Sequence, residues 1–193
     1  NYILMECGQP LHSFDLARIR GGRVIVAPAK EGEHFTTLDG KERVLKADDL
    51  TIRDNDGVVA LAGVMGGLDS EITEASAGVF LESAVFRPAT IRRTSRRLGL
   101  SSEASFRFER GIDQGRSRWS LDRACAMIQQ LAGGEVSDRL CENEPRPFVP
   151  VQVEFRPARC AALLGVDPGS DFERHVLTGL GCEVKGDGAT WTV

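Results

Sequence analysis

The sequence predicts an α+β fold: mostly antiparallel sheet with a few flanking helices, followed by a small truncated α/β unit. Three observations lead to this expectation. Short apolar runs separated by glycine turns fill the first half of the chain, two helical patterns follow them, and a proline-rich segment then precedes a last short stretch. With 193 residues, the chain is long enough for one large or two small domains.

The first half of the chain predicts strands joined by tight turns. Asp39-Gly40 lies between two apolar runs, which is a strong short-range signal for a β-hairpin. Asn55-Asp56-Gly57 indicates a second turn. Apolar and β-branched residues dominate the remaining candidate strands, which lie at positions 23–28, 50–53, 58–61 and 79–82. Most of this region should therefore form antiparallel sheet.

Two helices are expected between the strands and the proline-rich segment. Pro88 suits the first position of a helix and Gly99 the position just past its end. Asp113 is a candidate N-cap for a second helix that should stop at Gly133-Gly134. We expect the apolar stripe of this second helix to be core, and it comprises Leu121, Ala124, Cys125, Ile128 and Leu131.

The proline-rich segment predicts a domain boundary. Residues 144–150 contain three prolines and read as a linker. A first domain should occupy residues 1–143, and a second, C-terminally truncated unit residues 151–193. In the second unit we expect a strand at 151–155, helices opening at Pro157 and near 171–180, and a hairpin turning at 186–188. The chain opens without methionine and stops inside that hairpin, so both ends are expected to be cuts through a longer protein.

Charge and apolar patterning exclude several classes of protein. The net charge is −4, with a pI near 5.5, which argues against a generic polyanion binder. No apolar run approaches the roughly 18 residues of a membrane span, and no signal peptide is visible, so we expect a cytoplasmic chain without membrane contact. The five cysteines form no C-x-x-C pair, which suggests reduced thiols rather than disulfides or zinc.

One region departs from this acidic balance. Residues 87–123, here called the arginine island, contain ten arginines against four acidic residues. Arginine suits bidentate pairing with carboxylate or phosphate groups. The island is either a local RNA-binding surface or a solvated lattice of internal Arg–Glu pairs, and the sequence leaves both interpretations open.

Three segments hold more special residues than folding requires. Residues 8–15 put His12 in a turn braced by a proline, where it serves either chemistry or the turn itself. Residues 63–67 are glycine-rich and would let a ligand approach the backbone closely. In the third segment, residues 79–113, strand alternation places Glu82 on the same face as Phe80, so its carboxylate should face inward and need a partner.

Several segments match, in order, the motifs of one family. The chain resembles the bacterial phenylalanyl-tRNA synthetase beta chain, in the third and fourth domains that form its editing region, with the start of the fifth domain after the linker. The matching segments are Asn1-Tyr2, ECGQPLHSFD at 6–15, LDG at 38–40, AGVMGG at 62–67, Leu81-Glu82 and SSEASFRFERGID at 101–113.

This resemblance implies an activity and a set of site residues. It implies hydrolysis of mischarged Tyr-tRNA(Phe), with His12 and Ser102 as catalytic candidates and Gly66, Glu82 and Ala104 as substrate-binding residues. It places aminoacylation, with its ATP and magnesium, on the alpha chain of the full heterotetramer, so no cofactor is expected in this segment. The implied partners are tRNA(Phe) and the alpha chain. Family members often have Thr where this chain has Ser102 and His where it has Phe106, which puts a role for Phe106 in doubt.

A physical mechanism agrees with this implication. A synthetic site cannot fully reject tyrosine, which differs from phenylalanine by one hydroxyl, so a second site must bind the hydroxylated product selectively. Glu82 in an apolar pocket could bind the phenol, while Gly66 and Ala104 would leave room for the ring. His12 would either orient or deprotonate a water, or only brace its turn. The main alternative is a non-catalytic module that docks tRNA or the partner chain through the arginine island; a stand-alone aminoacyl-ester hydrolase is disfavoured by the unit after Pro150.

Overall fold

The computed structural model describes residues 1–145 and 147–193, and these divide into two compact units, Asn1–Glu142 and Asn143–Val193. Each unit is described by itself. Arg146, within the predicted linker, lies outside the described residues. None of the helices in the described residues is long and apolar enough to cross a membrane.

The first unit contains eight short strands, all paired antiparallel. Four of them form one sheet in the order β2-β5-β6-β7, while β1 pairs with β8 and β3 pairs with β4. The confirmed class is therefore α+β with antiparallel sheet. The strands are β1 (Leu11–Asp15), β2 (Ile25–Pro28), β3 (His34–Thr36), β4 (Glu42–Val44), β5 (Leu50–Arg53), β6 (Val58–Leu61), β7 (Met65–Gly66) and β8 (Val79–Ser83).

Four helices accompany these strands: α1 (Tyr2–Cys7), α2 (Pro88–Leu98), α3 (Glu103–Phe108) and α4 (Ser117–Ala132). The bounds of α2 confirm the prediction from Pro88 and Gly99. Gly99 adopts the left-handed conformation at φ 61°, and its N–H closes the last turn on the carbonyls of Ser95 and Arg96. Ile91 on this helix is 1% exposed and packs against the core of the sheet.

The prediction for α4 was wrong at two points. Asp113 caps a single 3-10 turn, Gln114–Arg116, rather than α4, which begins at Ser117. The apolar stripe is core only at its start: Ala124 is buried, whereas Ile128 is 39% and Leu131 79% exposed. Helical spacing identifies a shared face but does not show how far along the helix the neighbouring strands extend.

The second unit contains a short strand pair and two helices. Strand β9 (Glu154–Phe155) pairs antiparallel with β10 (Trp191–Thr192), and between them lie α5 (Pro157–Leu164) and α6 (Ser170–Gly179). Trp191 is 2% exposed and packs its ring against Phe155 at 5.3 Å. The helix expected to open at Pro157 is confirmed, while the expected strand at 151–155 is shorter than predicted.

Candidate active site

The pairing of β1 with β8 brings two of the predicted site residues together. His12 lies directly opposite Glu82, and Phe14 lies opposite Phe80. Residues that alternate along paired strands share a face, so these four side chains point to the same side. Phe14 is fully buried and belongs to the hydrophobic core. The strand pair thus carries an imidazole and a carboxyl group at the edge of an apolar core.

A cavity of about 60 Å³ borders these two side chains. Four of the five predicted site residues line it: His12, Gly66, Glu82 and Ala104. The remaining wall is apolar and comes mainly from the end of β6, its connection to β7 and the start of β1, with smaller parts from β5 and α3. The cavity therefore combines two titratable groups with apolar surroundings.

This cavity is smaller than the aromatic hollow that the sequence led us to expect. An engineered apolar cavity of about 150 Å³ admits benzene, and a water molecule occupies about 30 Å³ in the liquid. A volume of about 60 Å³ thus suits a few water molecules, and an aromatic ring can enter only if the wall moves. Met65 has a long unbranched side chain on this wall and is only partly buried, so it can shift at low cost.

Glu82 has an unusual electrostatic environment. It keeps some accessible surface where it lines the cavity, but protein atoms surround it closely on its other sides. Among the described residues, its carboxyl group has no hydrogen-bond partner. Burial raises the pKa of Glu82 to about 7, because removing a carboxylate from water disfavours its charged form. Near neutral pH this group is therefore present both as the acid and as the anion.

His12 stands opposite as a neutral base. Burial lowers the pKa of its imidazole below the ordinary value of 6.5, since desolvation disfavours the imidazolium. The ring packs edge-on against Phe14 with centroids 4.4 Å apart. Within the part of the chain that the structure describes, neither ring nitrogen forms a hydrogen bond. His12 consequently has a free acceptor and a free donor available to a ligand.

Ser102 does not line the cavity, in contrast to the other four predicted residues. Its hydroxyl donates to the carbonyl of Val64 at 2.7 Å and accepts from the N–H of Ser105 at 3.1 Å. Ser105 in turn accepts from the N–H of Ser102 at 2.9 Å, which completes a capping box at the start of α3. Ser102 thereby holds α3 against the loop that forms part of the cavity wall.

Phe106 and the arginine island lie apart from the cavity chemistry. Phe106 is 50% exposed, and the guanidinium of Arg110 stacks on its ring at 3.6 Å. Seven of the ten arginines in the island form ion pairs with carboxylates. Arg92 donates instead to the backbone carbonyl of Glu109. Four of these pairs are internal to the island, and Asp48, Asp49 and Glu6 from outside it supply the other three, so the interpretation as an internal lattice covers four of the ten arginines.

A second cavity, of about 230 Å³, borders the start of β6. The two linings share no residue: Val58, Val59 and Gly67 border the larger cavity, whereas Ala60, Leu61 and Gly66 border the smaller one. The charged groups around the larger cavity are largely paired, for example His34 with Glu42 and Arg20 with Asp56. Its size alone does not make it the better candidate, because it offers fewer unpartnered groups.

Sequence reasoning missed Met65 and Leu11 as wall residues. Leu11 and His12 were assigned to a turn, although the alternation through Phe14 is typical of a strand.

No group of three or more His, Cys, Asp or Glu side chains in the described residues could hold a metal ion.

These features define a class of protein. Residues 1–133 match the model of the B3/4 domain, so the chain belongs to the B3/4 domain family. The chain is also similar to phenylalanine–tRNA ligase beta subunits: it is 58% identical to that of Oleidesulfovibrio alaskensis and 54% identical to that of Nitratidesulfovibrio vulgaris. Each match covers 100% of this chain and 24% of the relative. The chain thus spans about a quarter of the length of these curated relatives. The predicted resemblance to the beta subunit is confirmed.

A solved structure also aligns with the chain. It is an N-terminal fragment of the phenylalanyl-tRNA synthetase beta-subunit from Pyrococcus horikoshii, with 14% identity and a TM-score of 0.46, covering 94% of this chain and 52% of that one. At this distance the likeness supports no inference about function.

Proposed function

We propose that this chain is the editing segment of a phenylalanine–tRNA ligase beta subunit, and that it hydrolyses mischarged Tyr-tRNA(Phe) while contacting the RNA. The observation that carries the proposal is the unpartnered Glu82 carboxyl group on the wall of a mostly apolar cavity. The names of similar relatives support the beta-subunit part of this proposal. ATP, magnesium and aminoacylation are assigned to the alpha partner and the complete synthetase, and no cofactor to this segment.

Glu82 can select tyrosine over phenylalanine because it lacks a partner of its own. Either protonation state of the carboxyl group can pair with a phenol, since the anion accepts and the acid both donates and accepts. A bound phenylalanine ring would leave the buried group unpaired, at a cost of about 1–3 kcal/mol. Phe-tRNA would therefore escape hydrolysis, and displacement of Met65 would provide the space for the tyrosine ring.

His12 is suited to activate the attacking water. The water oxygen would attack the ester carbonyl carbon while its proton moves to the neutral imidazole. The bond from that carbon to the ribose oxygen then breaks, and the ribose oxygen takes up the proton, which releases tyrosine and intact tRNA. General base catalysis of this kind contributes about 10²–10⁴-fold. Ser102 would contribute by holding α3 and the Val64 loop in place.

The alternative, a non-catalytic module that docks tRNA or the alpha chain, depends on free cationic charge in the arginine island. Ion pairs engage seven of the ten arginines, four with carboxylates of the island and three with carboxylates elsewhere in the first unit. A neighbouring carboxylate offsets part of the positive charge that an arginine presents to a phosphate. We therefore favour the cavity over the island as the functional feature.

The test is deacylation of Tyr-tRNA and Phe-tRNA, measured side by side with the complete synthetase. In the Glu82→Ala variant we expect the preference for Tyr-tRNA to fall by about 5- to 150-fold, the equivalent of about 1–3 kcal/mol. Glu71→Gln, at an exposed position away from the cavity, is the matched control and should keep the preference. Unchanged discrimination in Glu82→Ala would contradict the proposal that Glu82 selects tyrosine. If tRNA binding and deacylation are also unchanged, Glu82 has no role in either process.

A further inference from the structure

Gly66 is the last residue of β7, and Gly67 follows it. The backbone conformation at these two positions does not require glycine. Neither has a positive φ, and Gly67 is extended at φ −91° and ψ 147°. Any L-residue can adopt such a backbone, so the reason for glycine must be space. The two Cα atoms face opposite sides of the strand, which gives each position a different neighbour.

A Cβ atom at Gly66 would collide with His12. It would lie 2.4 Å from Cε1 and 2.6 Å from Nε2 of the imidazole, and 3.1 Å from Cδ1 of Leu38. A Cβ at Gly67 would instead approach the carbonyl oxygen of Val59 at 2.6 Å and the Phe35 ring at 2.8 Å. The space that a side chain at Gly66 would fill is therefore taken by the Cε1–Nε2 edge of the His12 imidazole. It is not open space for a substrate ring.

Packing, not hydrogen bonding, orients this imidazole. The rings of His12 and Phe14 form a T-shaped pair with centroids 4.4 Å apart, and the Cε1–Nε2 edge of the imidazole lies over Gly66. In the described residues neither ring nitrogen has a protein partner that would fix the rotamer. The strand register, which places His12 opposite Glu82, fixes the backbone from which the side chain projects. The space above Gly66 fixes the position of the imidazole ring.

We propose that the missing side chain of Gly66 seats the His12 imidazole on the cavity wall, which makes Gly66 a positioning residue for His12. The steric part of this proposal stands by itself. Its consequence for hydrolysis rests on the proposed function, because only there does His12 act on a water molecule. The role differs from the one expected from the sequence, in which Gly66 left room for the aromatic ring.

A stability cycle in this chain tests the steric part without any assay of activity. Gly66→Ala should lower Tm by at least about 3 °C, because the methyl group and the imidazole cannot share one space. In a His12→Ala background the same substitution should cost much less, since the ring is gone. Equal losses of Tm in both backgrounds would overturn the proposal. If Gly66→Ala alone does not fold, a folded His12→Ala/Gly66→Ala chain supports the proposal and an unfolded one overturns it.

Gly67→Ala is the matched control, because it crowds the same strand from the opposite face. Its loss of Tm should be the same with and without His12. An NMR titration of His12 adds a measurement that general destabilisation would not move: in Gly66→Ala the displaced ring should titrate closer to 6.5 than in the parent chain. An unchanged pKa of His12 in Gly66→Ala would count against the positioning role of Gly66.

Deacylation then connects the seat to function. Gly66→Ala should slow hydrolysis of Tyr-tRNA at least about 10-fold, and adding it to His12→Ala should cause no further loss. Independent, multiplying losses would overturn the positioning role. If the stability cycle shows coupling but the parent protein hydrolyses no Tyr-tRNA, the seat is supported and the proposed function fails, so the two failures are distinguishable.

Discussion

Two carboxylates near the core of the first unit, Asp49 and Glu82, differ in whether the protein supplies hydrogen-bond partners for them. Asp49 is 1% exposed and fully partnered: it accepts from the Thr94 hydroxyl at 2.8 Å and from the Lys46 N–H at 2.8 Å, and it forms an ion pair with Arg97. Glu82 lines a cavity and, among the described residues, has no partner. Only one of these two groups is satisfied by the fold itself.

The difference separates a structural carboxylate from one that awaits a ligand. The partners of Asp49 connect the turn before β5 to α2, so its hydrogen bonds hold a helix on the sheet. A buried carboxyl group without partners has a free-energy cost that folding does not recover. Such a cost is found where a ligand supplies the missing interaction, and perturbed titration is a recognised mark of such sites.

The largest expected effect is on stability, and it should fall on Asp49 alone. Asp49→Asn removes the charge that Arg97 faces and presents an amide donor to donors, so we expect a loss of about 3–4 kcal/mol in the free energy of unfolding. Glu82→Gln, the same isosteric change, should cost less than about 1 kcal/mol at pH 6, because no protein bond is lost. Urea denaturation of both variants measures this, and similar losses in the two would contradict the comparison.

A second expectation concerns pH and involves Glu82 alone. Its folded-state pKa of about 7 lies above the unfolded value of 4.5, so the folded chain binds the extra proton between these two values. The free energy of unfolding should therefore fall as pH rises through this window, by up to about 3 kcal/mol. His12, the titratable group that faces Glu82 across the strand pair, has a pKa that burial lowers from its ordinary value, which favours its neutral form.

The Glu82→Gln variant isolates that contribution. The stability of the parent chain minus that of the variant should decline between about pH 4.5 and 7 and be flat outside it. Asp54 and Glu33 have lowered pKa values, Asp54 through backbone N–H donors and Glu33 through Arg53. They titrate below this window with the opposite sign, and they cancel in the difference. A flat difference curve would mean that solvent reaches the Glu82 carboxyl group.

Local signals were sufficient for elements whose ends and partners are close in sequence. Pro88 and Gly99 mark both ends of α2, and Asp39-Gly40 marks the hairpin of β3 and β4. The missed elements depend on distant partners or are short. Strand β1 exists because it pairs with β8, where Phe14 lies opposite Phe80, 66 positions further along the chain. Helix α3 has only six residues, fewer than two helical turns, so no repeating pattern can mark it.

The same distinction applies to the site. The inward direction of Glu82 followed from alternation along one strand, but the position of His12 opposite it required the β1–β8 register. The role of Gly66 could not be inferred from composition, since a glycine is chosen equally for a turn, for a ligand or for a neighbouring side chain. Only the distance to the His12 ring distinguishes these reasons.

The smallest expected effect concerns Ser102, whose hydroxyl resembles Asp49 in being satisfied. Ser102→Ala removes the bonds to Val64 and Ser105 and should cost about 1 kcal/mol in the free energy of unfolding, as for other N-cap serines. Ser102→Thr keeps the hydroxyl and should be nearly neutral. Thermal unfolding measures both, and deacylation of Tyr-tRNA should fall in Ser102→Ala far less than in His12→Ala. If Ser102→Ala keeps its stability yet abolishes hydrolysis, the hydroxyl acts on the substrate, and Ser102 belongs with Glu82 rather than with Asp49.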